Sequence, residues 1–294
     1  YWFYFFFRKH HQLDRSLVSY KFINTSLVFM VISSIGPWAL GVIMNVLGNT
    51  SHWYYNAIYF YLHFQCNGWF VFCLLGLFFY ALEQKGIQLS KVKSILFYKI
   101  FTISCVLTVF LSFLWIEPVS FIYIIAGIGA FLQLASVLFL FQIINQNKKQ
   151  IGIMFDTFTK WVLKFVGLLF ILKICMQVAT AFPFFIVLSS ELIDFVIGSL
   201  HFVFLGIITP TIFVLLHHFK LMKLSKIWTL IFFIGFVTSE SLIFYKGITF
   251  WKQQFIFESY YTVLIYASAL MPIGIVGIFL SNLFFTDSTQ PKSL

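Results

Sequence analysis

The sequence predicts an all-α protein in which eight helices span a lipid bilayer and pack into one polytopic bundle. Three observations predict this fold class. Of the 294 residues, 61% are hydrophobic and only 10% are charged, whereas soluble domains carry about 25% charged residues. Apolar runs of about twenty residues, the length that a helix needs to cross the hydrocarbon core, recur along the chain. Lysine and arginine are concentrated in alternate connections between these runs, as in multi-pass membrane proteins.

The composition also excludes several classes of protein. Water cannot solvate a monomer as apolar as this one, with 42 phenylalanines, so a soluble enzyme, a soluble nucleic-acid module and a disordered tail are excluded. In a soluble protein the net charge of +10 would favour nucleic-acid binding. Here basic loops that orient membrane helices account for it. We therefore expect the lipid bilayer and other membrane subunits as partners, and no nucleic acid.

The apolar runs define eight full spans within a single transmembrane domain, residues 1–294, because no linker and no repeat of fixed period divides the chain. The predicted spans lie near Phe22–Leu47, Ala57–Leu82, Ser94–Trp115, Val119–Ile144, Phe158–Ala181, Leu192–Leu216, Ile227–Tyr245 and Tyr260–Phe285.

The chain opens on seven aromatic residues, Tyr1 to Phe7, followed by the basic pair Arg8-Lys9. Seven apolar residues are too few to span a bilayer, and the segment has neither the basic start nor the small-residue cleavage site of a signal peptide. We therefore expect residues 1–7 to be the end of a truncated N-terminal helix, and the chain to be a fragment that lacks N-terminal helices.

The loop charges predict the orientation. The connections before span 1 and after spans 2, 4, 6 and 8 are basic, whereas those after spans 1, 3 and 5 contain no lysine or arginine. Only Lys246 and Lys252, after span 7, break the alternation. Because basic loops stay in the cytoplasm, we expect a multi-pass inner-membrane protein with a cytoplasmic C-terminus.

A few polar residues lie inside the spans, where an ionisable side chain costs about 2.5–3.5 kcal/mol and is a functional candidate by default. In the predicted orientation they lie at similar depth, in the outer half of the membrane, which favours a shared internal site. They are His63 and Asn67 in span 2, Lys173 and Gln177 in span 5, Asp194 and His201 in span 6, and Glu240 in span 7.

Helical spacing groups several of these residues into stripes. At 3.6 residues per turn, His63 and Asn67 share one face of span 2, and Asp194, Gly198 and His201 share one face of span 6. Purely structural roles remain open for all of them. Each histidine is a candidate for an interhelical hydrogen bond, and Lys173, Glu240 and Asp194 are candidates for neutralising one another.

The two histidines also fit a metal or cofactor, since neutral imidazole is the commonest metal ligand and an axial ligand of haem. The segments Tyr61-Leu62-His63-Phe64-Gln65-Cys66-Asn67-Gly68 and Leu200-His201-Phe202-Val203-Phe204-Leu205-Gly206 resemble histidine-containing helices of bacterial membrane proteins, of Bacteroidota type, that are related to subunit I of the haem–copper oxidases and nitric oxide reductases. The shared theme is a histidine, then apolar or aromatic residues, then glycine.

The resemblance implies a redox-active haem, with copper as a further candidate, and a site toward the outer face of a bacterial inner membrane. It would make His63 and His201 the cofactor or metal ligands and Asn67 a residue that orients them. Two family features do not carry over: the adjacent pair His217-His218 lies at the inner end of span 6, and no His-Pro-Glu motif is present.

The sequence leaves three main functional hypotheses open, and beside them an integral-membrane acyltransferase, for which no paired catalytic histidine and aspartate or arginine-rich acyl-donor signature stands out. The first is a haem- or metal-binding redox protein, active or degenerate. The second is a proton-coupled transporter or permease that uses Asp194, Glu240, Lys173 and the histidines as a pathway. The third is a membrane assembly component without chemistry. None of these hypotheses predicts which residues would be catalytic.

Overall fold

The structure, a computed structural model, describes residues 14–283 and, before them, Trp2, Tyr4, Phe5 and Lys9. Apart from those isolated positions, the helix end predicted at residues 1–7 lies outside the described residues, as does the polar tail after Phe285. The described part of the chain is built from helices and contains no strand, which confirms the predicted all-α fold class.

Eight helices of the described chain are long and apolar enough to cross a membrane, as predicted, and the protein is an integral membrane protein on this ground. Numbered in chain order, they are span 1, Val18–Val46; span 2, His52–Gln84; span 3, Lys91–Ile116; span 4, Ser120–Gln146; span 5, Thr157–Ala179; span 6, Ile193–His218; span 7, Lys226–Trp251; and span 8, Tyr260–Leu283. Two shorter helices, Lys148–Met154 and Pro183–Glu191, lie before and after span 5.

Turn residues end the spans where the apolar runs stop. Gly48 and Gly86 follow spans 1 and 2 in the left-handed region, with φ of 81° and 70°, a conformation that glycine adopts without steric cost. The Ser51 hydroxyl caps the start of span 2 by accepting a hydrogen bond from the backbone N–H of Tyr54 at 3.3 Å. The spans therefore begin and end within a few residues of their predicted bounds, except that span 7 continues six residues beyond Tyr245.

Several spans carry long apolar side chains on their surface, as expected for helices that face lipid rather than water. Span 4 shows this most clearly, since exposed isoleucine, leucine and phenylalanine side chains recur along it. These side chains are Phe121, Ile124, Ile128, Phe131, Leu134, Leu138 and Phe141. The bilayer contact predicted from composition follows from this surface.

The described chain divides into two compact units, and the division falls within span 5. The first unit contains spans 1–4 and the part of span 5 from Gly167 onward. Its core is a cluster of fully buried phenylalanines from spans 1, 2 and 3, in which the Phe22 ring lies 5.4 Å from Phe72, 5.5 Å from Phe79 and 5.4 Å from Phe97, between centroids.

The second unit contains the start of span 5 and spans 6–8. Spans 7 and 8 pack closely because small residues let their backbones approach. A Cβ placed on Gly274 would lie 2.8 Å from both the Trp228 carbonyl oxygen and the Phe232 backbone nitrogen. Gly277 lies against the Trp228 ring, and Gly235 faces Leu270.

Two spans are interrupted by π-helix at matching places. In span 2 the α-helix His52–His63 is followed by the π-helix Phe64–Phe70, and in span 6 the α-helix Ile193–His201 is followed by the π-helix Phe202–Ile208. Each π-helix begins directly after a histidine. Such segments are rare and occur mostly at functional sites, so the π-helix in each unit marks a candidate functional site.

Candidate functional site

His63 is buried at the end of the first α-helix of span 2, and both of its ring nitrogens are engaged. Its Nε2 lies 2.9 Å from the backbone carbonyl oxygen of Cys105 in span 3. Because a carbonyl oxygen only accepts, Nε2 carries the hydrogen and donates it. Nδ1 then accepts from the side-chain amide of Asn67, 3.3 Å away. The predicted pairing of His63 with Asn67 on one face is therefore present, and Asn67 orients the imidazole.

This arrangement bears on the predicted haem or metal role of His63. A metal ligand needs a ring nitrogen with an available lone pair, whereas in His63 one nitrogen donates and the other accepts. His63 fits an iron or copper ion only if one of these two hydrogen bonds is given up. Within the described residues, no group of three or more histidine, cysteine, aspartate or glutamate side chains is placed to hold a metal ion.

We expect His63→Ala to destabilise the protein by about 1–2 kcal/mol, since it removes an interhelical hydrogen bond and leaves a small cavity. Reversible unfolding in mixed micelles measures this free energy. His52→Ala, at the start of the same span, is the control. Equal unfolding free energies for His63→Ala and His52→Ala would contradict a stabilising role of the His63–Cys105 hydrogen bond.

His201 differs from His63 in its surroundings. It lies in the second unit, its side chain is exposed, and the described residues offer its ring no hydrogen-bond partner. Asp194 and Gly198 face span 7, whereas His201, three residues further along span 6, is exposed. Two members of the predicted stripe, Asp194 and Gly198, therefore lie against span 7, and the ring nitrogens of His201 are available to a ligand.

Lys173 is the central charged group of the first unit. Its side chain is 5% exposed, and its Nζ has no hydrogen-bond partner in the described part of the chain. It lies within electrostatic range of His63, Cys66 and Cys105. We call Lys173, His63, Asn67 and Gln177 the Lys173 cluster. Gln177 lies one helical turn from Lys173, and its Oε1 and the Asn67 Oδ1 are buried without partners.

Glu240 is the corresponding group in the second unit. Its side chain is 6% exposed, and neither of its carboxyl oxygens has a hydrogen-bond partner among the described residues. Gly198 of span 6 faces it, since a Cβ added at Gly198 would lie 3.3 Å from Glu240 Oε1. Because glycine has no side chain, span 6 lies close to the carboxyl group at this point.

An ion pair lies further along the same two helices. Lys246 of span 7 donates to Asp194 Oδ1 at 2.9 Å, with 21% of the lysine side chain and 10% of the aspartate side chain exposed. Lys246 also lies 5.4 Å from the Phe250 ring centroid and 5.9 Å from that of Tyr261. Asp194 was a candidate partner for Lys173 or Glu240, and the structure pairs it with Lys246 instead.

Lys246 and the two π-helices are the features that the sequence analysis missed. Lys246 stood out in the sequence only as an exception to the alternation of basic loops. The π-helices had a signal too: Leu62-His63-Phe64 and Leu200-His201-Phe202 are each followed, five residues after the histidine, by a glycine, Gly68 or Gly206. The pattern Leu-His-Phe-x-x-x-Gly therefore marks both interrupted helices.

Comparison of the chain with protein-family models, with curated proteins and with solved structures finds no match.

Proposed function

We propose that the protein is a proton-coupled transporter or permease in which Glu240 carries the proton. The observation that carries this proposal is the buried Glu240 carboxyl group, which has no hydrogen-bonding partner among the described residues. An isolated carboxylate in apolar surroundings is very costly, so a carboxyl group kept there binds a proton or a cation. Intramembrane carboxyl groups of this kind mark ion pathways and proton relays.

The ion pair Asp194–Lys246 supports a route to this carboxyl group. Lys246 lies six residues beyond Glu240 on span 7, about 9 Å along the helix axis at 1.5 Å per residue. The side chains of the pair are partly exposed, whereas Glu240 is buried. A proton that enters from the surface therefore meets a polar group, Asp194, before it reaches Glu240, and Gly198 lets span 6 lie close to Glu240.

Uptake into proteoliposomes tests this proposal. Vesicles with an inward proton gradient receive a panel of radiolabelled small carboxylates and amino acids. We expect gradient-driven uptake of at least one compound by the wild type and by Glu258→Gln, a matched change in the exposed connection after span 7. We expect Glu240→Gln to fall to the rate of protein-free vesicles, because its side chain cannot release a proton.

Two outcomes overturn the assignment. One is uptake by Glu240→Gln at the wild-type rate. The other is the absence of gradient-driven uptake of every compound on the panel by the wild type.

A second candidate function, a haem-binding redox protein of the family that the sequence resembles, is favoured by the exposed ring of His201, whose nitrogens the described residues leave available. When bound there, haem would supply electron transfer and a Soret absorption band. Purified full-length protein is assayed by pyridine haemochrome and for iron and copper. This candidate requires a Soret band in the wild type and in His52→Gln that is lost in His201→Ala. Protein without iron, copper or a Soret band rejects it and leaves an assembly role for the histidines.

A further inference from the structure

The Lys173 ammonium lacks a counter-ion among the described residues of spans 1–5. Its Nζ is buried without a hydrogen-bond partner among the described residues, and the titratable groups in electrostatic range are His63, Cys66 and Cys105. None of them is a carboxylate. In spans 1–5 the acidic residue of the described chain is Glu83, at the end of span 2, and its carboxylate accepts hydrogen bonds from Ser19.

The unpartnered polar groups of the Lys173 cluster indicate the chemistry of a ligand that would compensate the buried ammonium. An unpaired buried ammonium is costly and favours an anion, above all one with oxygens that accept its three N–H groups. The Asn67 Oδ1 and the Gln177 Oε1 are buried acceptors without a donor among the described residues. A ligand that matches both features has a carboxylate for Lys173 and a hydroxyl or amino hydrogen for the amide oxygens.

We propose that the Lys173 cluster is a binding site for a small organic carboxylate that carries a hydroxyl or amino donor. The Lys173 ammonium binds the carboxylate, and the oxygens of Asn67 and Gln177 accept from the ligand's donor. His63 positions Asn67, since the amide nitrogen of Asn67 donates to His63 Nδ1, which turns the amide oxygen away from the imidazole. The hydrogen bond from His63 to Cys105 in turn fixes the imidazole.

The site is independent of the proton-carrying role proposed for Glu240, because binding in detergent requires no proton gradient. A Glu240→Gln variant is therefore expected to bind the same ligand as the wild type. If Glu240→Gln binds normally but does not transport, both proposals stand, and if transport fails to depend on Glu240, binding at Lys173 is still measurable.

Calorimetric titration of the full-length protein in detergent tests the proposal, with L-lactate and L-alanine as probes, acetate as a carboxylate without a donor, and chloride as a simple anion. We expect lactate or alanine to bind more tightly than acetate, and chloride to bind least. Lys173→Met and Lys173→Gln are each expected to weaken the binding about 10- to 100-fold, the effect of losing a charge-assisted hydrogen bond.

Lys164→Met is the matched control, because Lys164 lies on the same helix with an exposed side chain, and it is expected to bind like the wild type. Removal of Lys173 also removes a buried charge, so both variants are expected to fold. The proposal is overturned if either Lys173 variant binds lactate and alanine as tightly as the wild type does. A wild type that binds neither probe better than chloride also overturns it.

Discussion

A Lys246→Met substitution is expected to destabilise the protein by about 2–4 kcal/mol, since it leaves the Asp194 carboxylate in the membrane without its partner. The ammonium of Lys246 is the hydrogen-bond donor to Asp194, and only 10% of the aspartate side chain is exposed. Water therefore replaces little of the lost interaction. Reversible unfolding in mixed micelles measures the change in free energy.

The reverse substitution, Asp194→Asn, is expected to cost less, about 1–2 kcal/mol. Lys246 lies five residues before the end of span 7 at Trp251, and 21% of its side chain is exposed. A lysine near a helix end extends its ammonium toward the interface and recovers hydration. The amide oxygen that this substitution introduces also still accepts a hydrogen bond from the ammonium.

The double variant measures the interaction between Asp194 and Lys246 separately from the effect of removing each side chain. Asp194→Asn combined with Lys246→Met leaves no unpaired charge, so it should be more stable than Lys246→Met alone. Lys252→Met, which removes an exposed lysine just after the end of span 7, is the control and should change the free energy by less than about 0.5 kcal/mol. Additive effects of the two single substitutions would show that Asp194 and Lys246 do not interact.

This pair also shows why the topology was predictable and the pairing was not. A span is recognised from about twenty residues whose transfer free energies add, so the eight spans follow from the sequence. An ion pair depends on which helices are neighbours and on how each helix is rotated about its axis. Neither property can be deduced from the sequence of a single helix. Lys246 violated the alternation of basic loops because it lies inside span 7, where Asp194 compensates its charge.

The two histidines show a second limit of the sequence. Counting 3.6 residues per turn placed His63 with Asn67 and Asp194 with His201, as if each helix were regular. In span 2 a π-helix begins directly after His63, and its wider turns change the face on which later residues lie, yet the hydrogen bond between His63 and Asn67 is present. Asp194, Gly198 and His201 all lie in the regular α-helix Ile193–His201, where Asp194 and Gly198 are buried and His201 is exposed, and spacing alone does not indicate which side chains of a face are covered.

The candidate site was predictable in its composition and only in part in its arrangement. His63, Asn67 and Lys173 belong to one unit, and Asp194, Gly198, His201 and Glu240 to the other. The free-energy cost of a polar group in the membrane was enough to identify the polar residues among them, because that cost does not depend on the neighbours of the group. Their hydrogen bonds depend on partners such as the Cys105 carbonyl oxygen, a backbone group that no side-chain pattern indicates.

The close approach of spans 7 and 8 leads to the second large effect on stability. Gly274→Ala is expected to destabilise the protein by about 2–3 kcal/mol, as overpacking does in a core. The new Cβ would lie 2.8 Å from the Trp228 carbonyl oxygen and 2.8 Å from the Phe232 backbone nitrogen. Backbone atoms cannot rotate away, so the two helices would have to separate.

Two further alanine variants make this prediction specific. At Gly277 the nearest atoms belong to the Trp228 side chain and not to the backbone, so Gly277→Ala should cost less than Gly274→Ala. At Gly127 of span 4 no heavy atom lies within 4 Å of an added Cβ. Gly127→Ala should therefore be neutral or stabilising by up to about 1 kcal/mol, the helix propensity difference. An unfolding free energy of Gly274→Ala equal to that of Gly127→Ala would contradict the close contact between spans 7 and 8 at Gly274.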